Sequence, residues 1–147
     1  MATTRRATAT WSGDLASGNG TVTAATTGIF RDQKTTWAAR TAEPEGVTSP
    51  EELLAAAHAS CFSMACSNVL AKAGTPPTRL DVEVSISADK LAAGWTVTTA
   101  VIVVRGVVPG ATQASFAAAA AEAKDGCPIS RALKGNVAMT VEATLES

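Results

Sequence analysis

The chain has 147 residues, 46% of them apolar and 17% charged, with a formal net charge of −1. That length fits a single domain, 1–147, rather than two ordinary ones, and the apolar share excludes a disordered chain. Its 12 basic and 13 acidic residues are interspersed, with no basic stripe, which argues against a nucleic-acid surface.

Residues 1–45 read as strand-rich. The opening Met1-Ala-Thr-Thr-Arg-Arg-Ala runs into alternating threonine and alanine rather than an apolar stretch, so no secretory signal is expected. A first strand, Arg6 to Trp11, ends at the turn signal Ser12-Gly13-Asp14. A second extended run, Thr21 to Thr27, follows Gly18-Asn19-Gly20, and a third, about Thr35 to Thr41, holds Trp37 and Arg40.

Ser49-Pro50-Glu51-Glu52 predicts a helix start. Ser49 suits the N-cap, Pro50 the first helical position, and Glu52 completes a capping box. The helix should cover about 50–73 and stop at Gly74, with Pro76 and Pro77 beyond. It is apolar nearly all round, which predicts a central position. Leu53 to Ala71 carries no formal charge, but His58, Ser60, Ser63, Ser67 and Asn68 mark a buried helix rather than a membrane span.

A strand hairpin is expected over 79–108. Val82, Val84 and Ile86 alternate on one face, and Val101-Ile-Val-Val is apolar on both. Helices at about 112–124 and 128–134 follow, then a last strand over 136–145. Strand–helix units do not repeat, so the fold class is α+β with a largely antiparallel sheet.

Three cysteines, Cys61, Cys66 and Cys127, form no disulfide framework, and reduced thiols in the cytoplasm are the expectation. Cys61, mid-helix, reads on its own as a small buried hydrophobe. Cys66, about 140° further round the helix, reads the same way. Cys127 differs, because it precedes Pro128 at the start of a short helix, where free N–H groups favour a thiolate. His58, the one histidine, shares a face with Cys61 and is read as a satisfied helix histidine with no evident partner. A His58/Cys61/Cys127 metal site would lack a fourth ligand and C-x-x-C spacing, so no metal or other cofactor is expected.

Two segments carry a resemblance: Ser49-Pro-Glu-Glu-Leu-Leu-Ala-Ala-Ala-His-Ala-Ser-Cys61-Phe-Ser-Met and Ala123-Lys-Asp-Gly-Cys127-Pro-Ile-Ser. They resemble the signature N-P-E-E-L…A-A-H-A-x-C-F-S-M and the C-P-[VI]-S of the OsmC/Ohr family, in its osmotically inducible protein C branch. Trp11-Ser-Gly and Ala73-Gly-Thr-Pro extend the likeness along the chain. Ser49 stands where the family usually has Asn, a conservative exchange at an N-cap.

The resemblance implies an intertwined α+β homodimer with a long central helix that reduces organic hydroperoxides and, less readily, hydrogen peroxide. It makes Cys61 the peroxidatic and Cys127 the resolving cysteine, with Glu51 and Arg40 as active-site partners. Thr41 stands where the branch often has Phe, which keeps Arg31 as the alternative arginine. The implied reductant is an external dithiol, a lipoyl group or lipoylated protein. No membrane or nucleic-acid partner is implied. The alternative reading is a non-enzymatic small-ligand-binding or stress-associated dimer.

Physically, a buried thiol needs a cation to ionise at neutral pH, and an arginine supplies one that never loses its charge. Glu51 is expected to orient that guanidinium bidentately. About 15 Å of helix separates Glu51 from Cys61, so Glu51 acts either through the length of arginine or from a second subunit. The substrate pocket is expected to be lined by Phe62, Met64, Ile29 and Phe30.

Overall fold

The structure is a computed structural model that describes residues 1–146. They form two compact units, Met1–Leu53 and the residues from Leu54 onward.

In the first unit, β1 (Thr8–Ser12), β2 (Asn19–Thr23) and β3 (Gln33–Thr35) form an antiparallel sheet in that order. The β1–β2 connection is held by Asp14, whose carboxylate accepts from the N–H groups of Ala16 and Ser17 and from the Ser17 hydroxyl. The second extended run is shorter than the expected Thr21 to Thr27, since β2 ends at Thr23.

The third run is a correction. Only Gln33–Thr35 is strand, and Trp37–Thr41 forms a short helix, α1. Threonine and tryptophan favour strands, but the Thr36 side chain accepts the Ala39 N–H at 3.1 Å and caps a helical turn. Arg40 therefore lies on a helix and not on a strand.

Helix α2 covers Pro50–Lys72, with its first turn in the first unit and the remainder in the second. Ser49 Oγ accepts the Glu52 N–H at 3.1 Å, as expected of the cap. The box is not reciprocal, because the Glu52 carboxylate instead accepts from the Thr48 hydroxyl.

Nearly all-round burial of α2 is not found. Among the described residues, His58, Phe62, Cys66 and Leu70 are its buried ones, a stripe at i, i+4 spacing, while Met64 is 65% exposed. The apolar composition comes largely from alanines, which do not select one buried face. By length and hydropathy α2 is the one helix among the described residues that could cross a membrane.

The second unit continues with β4 (Arg79–Leu91) and β5 (Gly94–Val107), paired antiparallel as the expected hairpin. Helices α3 (Gln113–Gly126) and α4 (Pro128–Leu133) lead to β6 (Ala138–Glu146). The sheets are largely antiparallel, as expected, and the exception is β6, which pairs with β5 in parallel. Two helices between them form a crossover, and a crossover returns the next strand in the same direction. The core joins the α2 stripe to Val84, Ile102 and Val104 of the sheet and to Phe116, Ala119, Ala120 and Ala123 of α3.

Gly106 marks the tightest approach in this core. A Cβ there would fall 2.6 Å from Cζ of Phe116, whose ring is fully buried. Gly106→Ala is therefore expected to destabilise the fold by about 1–3 kcal/mol, measured as a lower urea midpoint with an unchanged slope.

Candidate active site

The position of Cys127 follows from Pro128. A residue before proline is pushed out of the helical region, and Cys127 adopts φ −59 and ψ 127. It thus ends α3, with its N–H donated to Ala123 O at 2.8 Å, and begins α4 as the N-cap. Its side chain makes no capping hydrogen bond. Instead, its thiol lies near enough to that of Cys61 to raise the Cys61 pKa. Both are free thiols, Cys127 buried and Cys61 half-buried.

The Ile129 N–H, in the first turn of α4, acts on the Cys61 sulfur. Cys61 is subject to opposed influences. Burial raises its thiol pKa most, and the neighbouring Cys127 raises it further, while the Ile129 N–H lowers it; the net direction is upward. Within this unit, then, one amide alone is shown stabilising the sulfur anion.

Cys66 lies apart, wholly within the core. Burial pushes its thiol up to about 11 from an ordinary 9.0. Between those values the unfolded chain loses the proton and the folded chain keeps it. Stability should therefore fall as pH rises from about 9 to about 11. Cys66→Ala is expected to flatten that decline in urea titrations at several pH values.

His58 is fully buried, and its Nε2 lies 2.8 Å from Ser130 Oγ. The satisfied helix histidine of the sequence thus acquires a partner, although Nδ1 has none among the described residues. Burial lowers the imidazole pKa, so the ring is neutral at neutral pH.

In the first unit, Arg40 and Glu51 form an ion pair. Arg40 Nε and Nη2 lie 2.8 and 2.7 Å from the same carboxylate oxygen, Oε1. Two guanidinium nitrogens thus share one carboxylate oxygen, and Oε2 is buried without a partner among the described residues. The guanidinium also stands 5.7 Å from the centre of the Trp37 ring. One side of Arg40 is thus packed and the other paired, which fixes its direction. Arg31 is exposed and takes part in no ion pair among the described residues.

A cavity of about 450 Å³ in this unit is bounded by Trp11, Leu15, Val22, Trp37 and Leu53, with Arg40 as its charged residue. The pocket expected from the sequence is not this one. Phe62 belongs to the core, Ile29 is 83% exposed, and Met64 borders a separate surface hollow. Sequence reasoning missed Trp11, Leu15, Ser130 and the Ile129 amide. Ser130 left a faint signal, lying three residues after Cys127 as His58 lies three before Cys61.

The fold has known counterparts. A family model described as OsmC-like protein matches residues 43–142. The chain is 38% identical over 135 residues to the peroxiredoxin OsmC of Escherichia coli K12, covering 92% of this chain and 93% of that one. Among solved structures it resembles the organic hydroperoxide resistance protein OhrB of Bacillus subtilis. The TM-score there is 0.72 at 25% identity, over 95% of this chain and 98% of that one. An OsmC-like protein of Mycoplasma pneumoniae shares the fold, with a TM-score of 0.72 at 16% identity over the whole of both chains. The chain belongs to the OsmC family, and its fold is the α+β fold of OsmC and Ohr proteins.

Proposed function

We propose that this chain is a cysteine-based peroxidase that reduces organic hydroperoxides to alcohols. The observation that carries the proposal is the nearness of Cys61 and Cys127, two free thiols from distant segments of the chain that share one core cluster. Kinship with a protein named a peroxiredoxin supports it, as does the likeness to one named for organic hydroperoxide resistance.

The Cys61 thiolate attacks the terminal peroxide oxygen. An S–O bond forms, the O–O bond breaks, and the departing alkoxide takes a proton to become the alcohol. Cys61 has then given up two electrons as a sulfenate. Cys127 attacks that sulfur, the S–S bond forms, and water leaves. An external dithiol, of lipoyl type in this reading, reduces the disulfide and becomes oxidised itself.

Arg40, oriented by Glu51 and Trp37, supplies the positive charge that Cys61 lacks within its own unit, and then meets charge developing on the leaving oxygen. Arg40 is preferred to Arg31 because it is packed, paired and borders an apolar cavity suited to an organic group. The exposed faces of α2 fit a homodimer in which a second copy covers them. Light scattering after size exclusion should give twice the chain mass, and a monomer would sink that part.

The direct test adds one equivalent of cumene hydroperoxide to reduced protein and reads the intact mass and a peptide map. A Cys61–Cys127 disulfide with one equivalent of alcohol is expected. Unconsumed peroxide with both thiols still reduced would end the peroxidase reading.

A further inference from the structure

We propose that the buried hydrogen bond between His58 and Ser130 is a positioning clamp that keeps Cys127 beside Cys61 while Cys61 is oxidised. The inference rests on the reading of these cysteines as attacking and resolving thiols.

His58 stands three residues before Cys61 on α2, in the stripe that faces the core. Ser130 stands three residues after Cys127 on α4. Their Nε2···Oγ contact of 2.8 Å lies among apolar side chains, with His58 0% and Ser130 1% exposed. Either the Nε2 proton is donated to Ser130 Oγ or the Ser130 hydroxyl is donated to Nε2, according to the ring tautomer.

Three links join the cysteine-bearing parts of α2 and α4. Two of them, the Cys127 thiol and the Ile129 N–H, end on the Cys61 sulfur itself. Those two must change when the sulfur gains an oxygen atom. The third, His58 to Ser130, touches no sulfur and can persist through the reaction. A hydrogen bond is directional, so it holds one register between the helices where an apolar contact would allow sliding.

The choice at the sulfenate is kinetic. Cys127 either closes the disulfide with loss of water, or a second hydroperoxide oxidises the sulfenate to sulfinate and leaves as alcohol. A clamp that holds the resolving thiol near raises the rate of the first path and leaves the initial attack unchanged.

The test uses the full-length protein with Ser130→Ala, which removes the hydroxyl, and Ser130→Thr, which keeps it. With cumene hydroperoxide, S130A should lose its first thiol at the wild-type rate. It should close the disulfide about tenfold more slowly, with a matching rise in sulfinate by intact mass. S130T should partition as wild type does. A purely structural role would lower the melting temperature of S130A without moving this partition. Wild-type disulfide closure in S130A, or equal slowing in both variants, overturns the clamp.

His58 is the single histidine, so its ring resonances identify themselves. Nitrogen NMR of the wild type supplies a second measurement should S130A fail to fold. The Nε2 hydrogen bond should be present in both the reduced and the disulfide forms, and its loss on oxidation overturns the proposal. A wild type that forms sulfinate but never the Cys61–Cys127 disulfide would instead overturn the underlying reading, and the clamp with it.

Discussion

Cys61→Ser is expected to lower kcat/KM for organic hydroperoxides by about a thousandfold or more, to the level of the uncatalysed reaction. A serine hydroxyl stays protonated at neutral pH and is a poor nucleophile toward the O–O bond. The companion variant, Cys127→Ser, separates the two sulfurs. Its Cys61 should still be oxidised once, at close to the wild-type rate, because the attack needs no resolving thiol. Turnover should then stall, and sulfinate should accumulate with excess peroxide. Mass spectrometry of both variants after graded peroxide checks this. Undiminished catalysis by C61S would show that the chemistry lies elsewhere. A C127S protein that cycles normally would remove the intramolecular disulfide.

Arg40→Met should cost about 100- to 1,000-fold in kcat/KM. Burial and the neighbouring thiol both push the Cys61 pKa upward, and against them the second unit offers the Ile129 amide. A guanidinium opposes the shift and favours the charged form. The sign follows directly. The thiolate is the reacting species, so the rate climbs with pH until the thiol has ionised. Removing the cation moves that inflection toward alkaline pH, and R40M should recover part of its loss as pH rises. Stopped-flow profiles of the first oxidation against pH measure this. An R40M inflection at the wild-type position would exclude Arg40 as the source of charge. Methionine keeps much of the packing against Trp37, so a general collapse of the α1 turn is avoided.

These two expectations rest on different kinds of legibility. The motifs around Cys61 and Cys127 were readable as a family resemblance, and the family is the one the chain belongs to. The start of α2 was readable in its own residues: Ser49, Pro50 and Glu52 are local signals, and the Ser49 cap forms as they require. The hairpin announced itself by the alternation of Val82, Val84 and Ile86, and it pairs over that whole stretch.

What went astray involved competition between local and longer-range effects. Thr35 to Thr41 has strand-favouring residues, yet one side-chain cap at Thr36 turned its second half into helix. The nearly featureless apolar pattern of α2 gave no clue to which face would be buried. The stripe from His58 to Leu70 was selected by the sheet and α3, which lie far along the chain. Phe62, expected at a pocket, falls in that stripe for the same reason.

Order along the chain thus settled most of the elements, the Ser49 cap and the α+β class, because each depends on neighbours within a few residues. The folded arrangement alone settled the direction of β6, the nearness of the Ile129 amide to Cys61, the seating of both Arg40 nitrogens on one oxygen of Glu51, and the meeting of His58 with Ser130. Hydrogen bonds and burial are matters of distance and direction in space. For groups brought together from far along a chain, no spacing of letters contains those quantities.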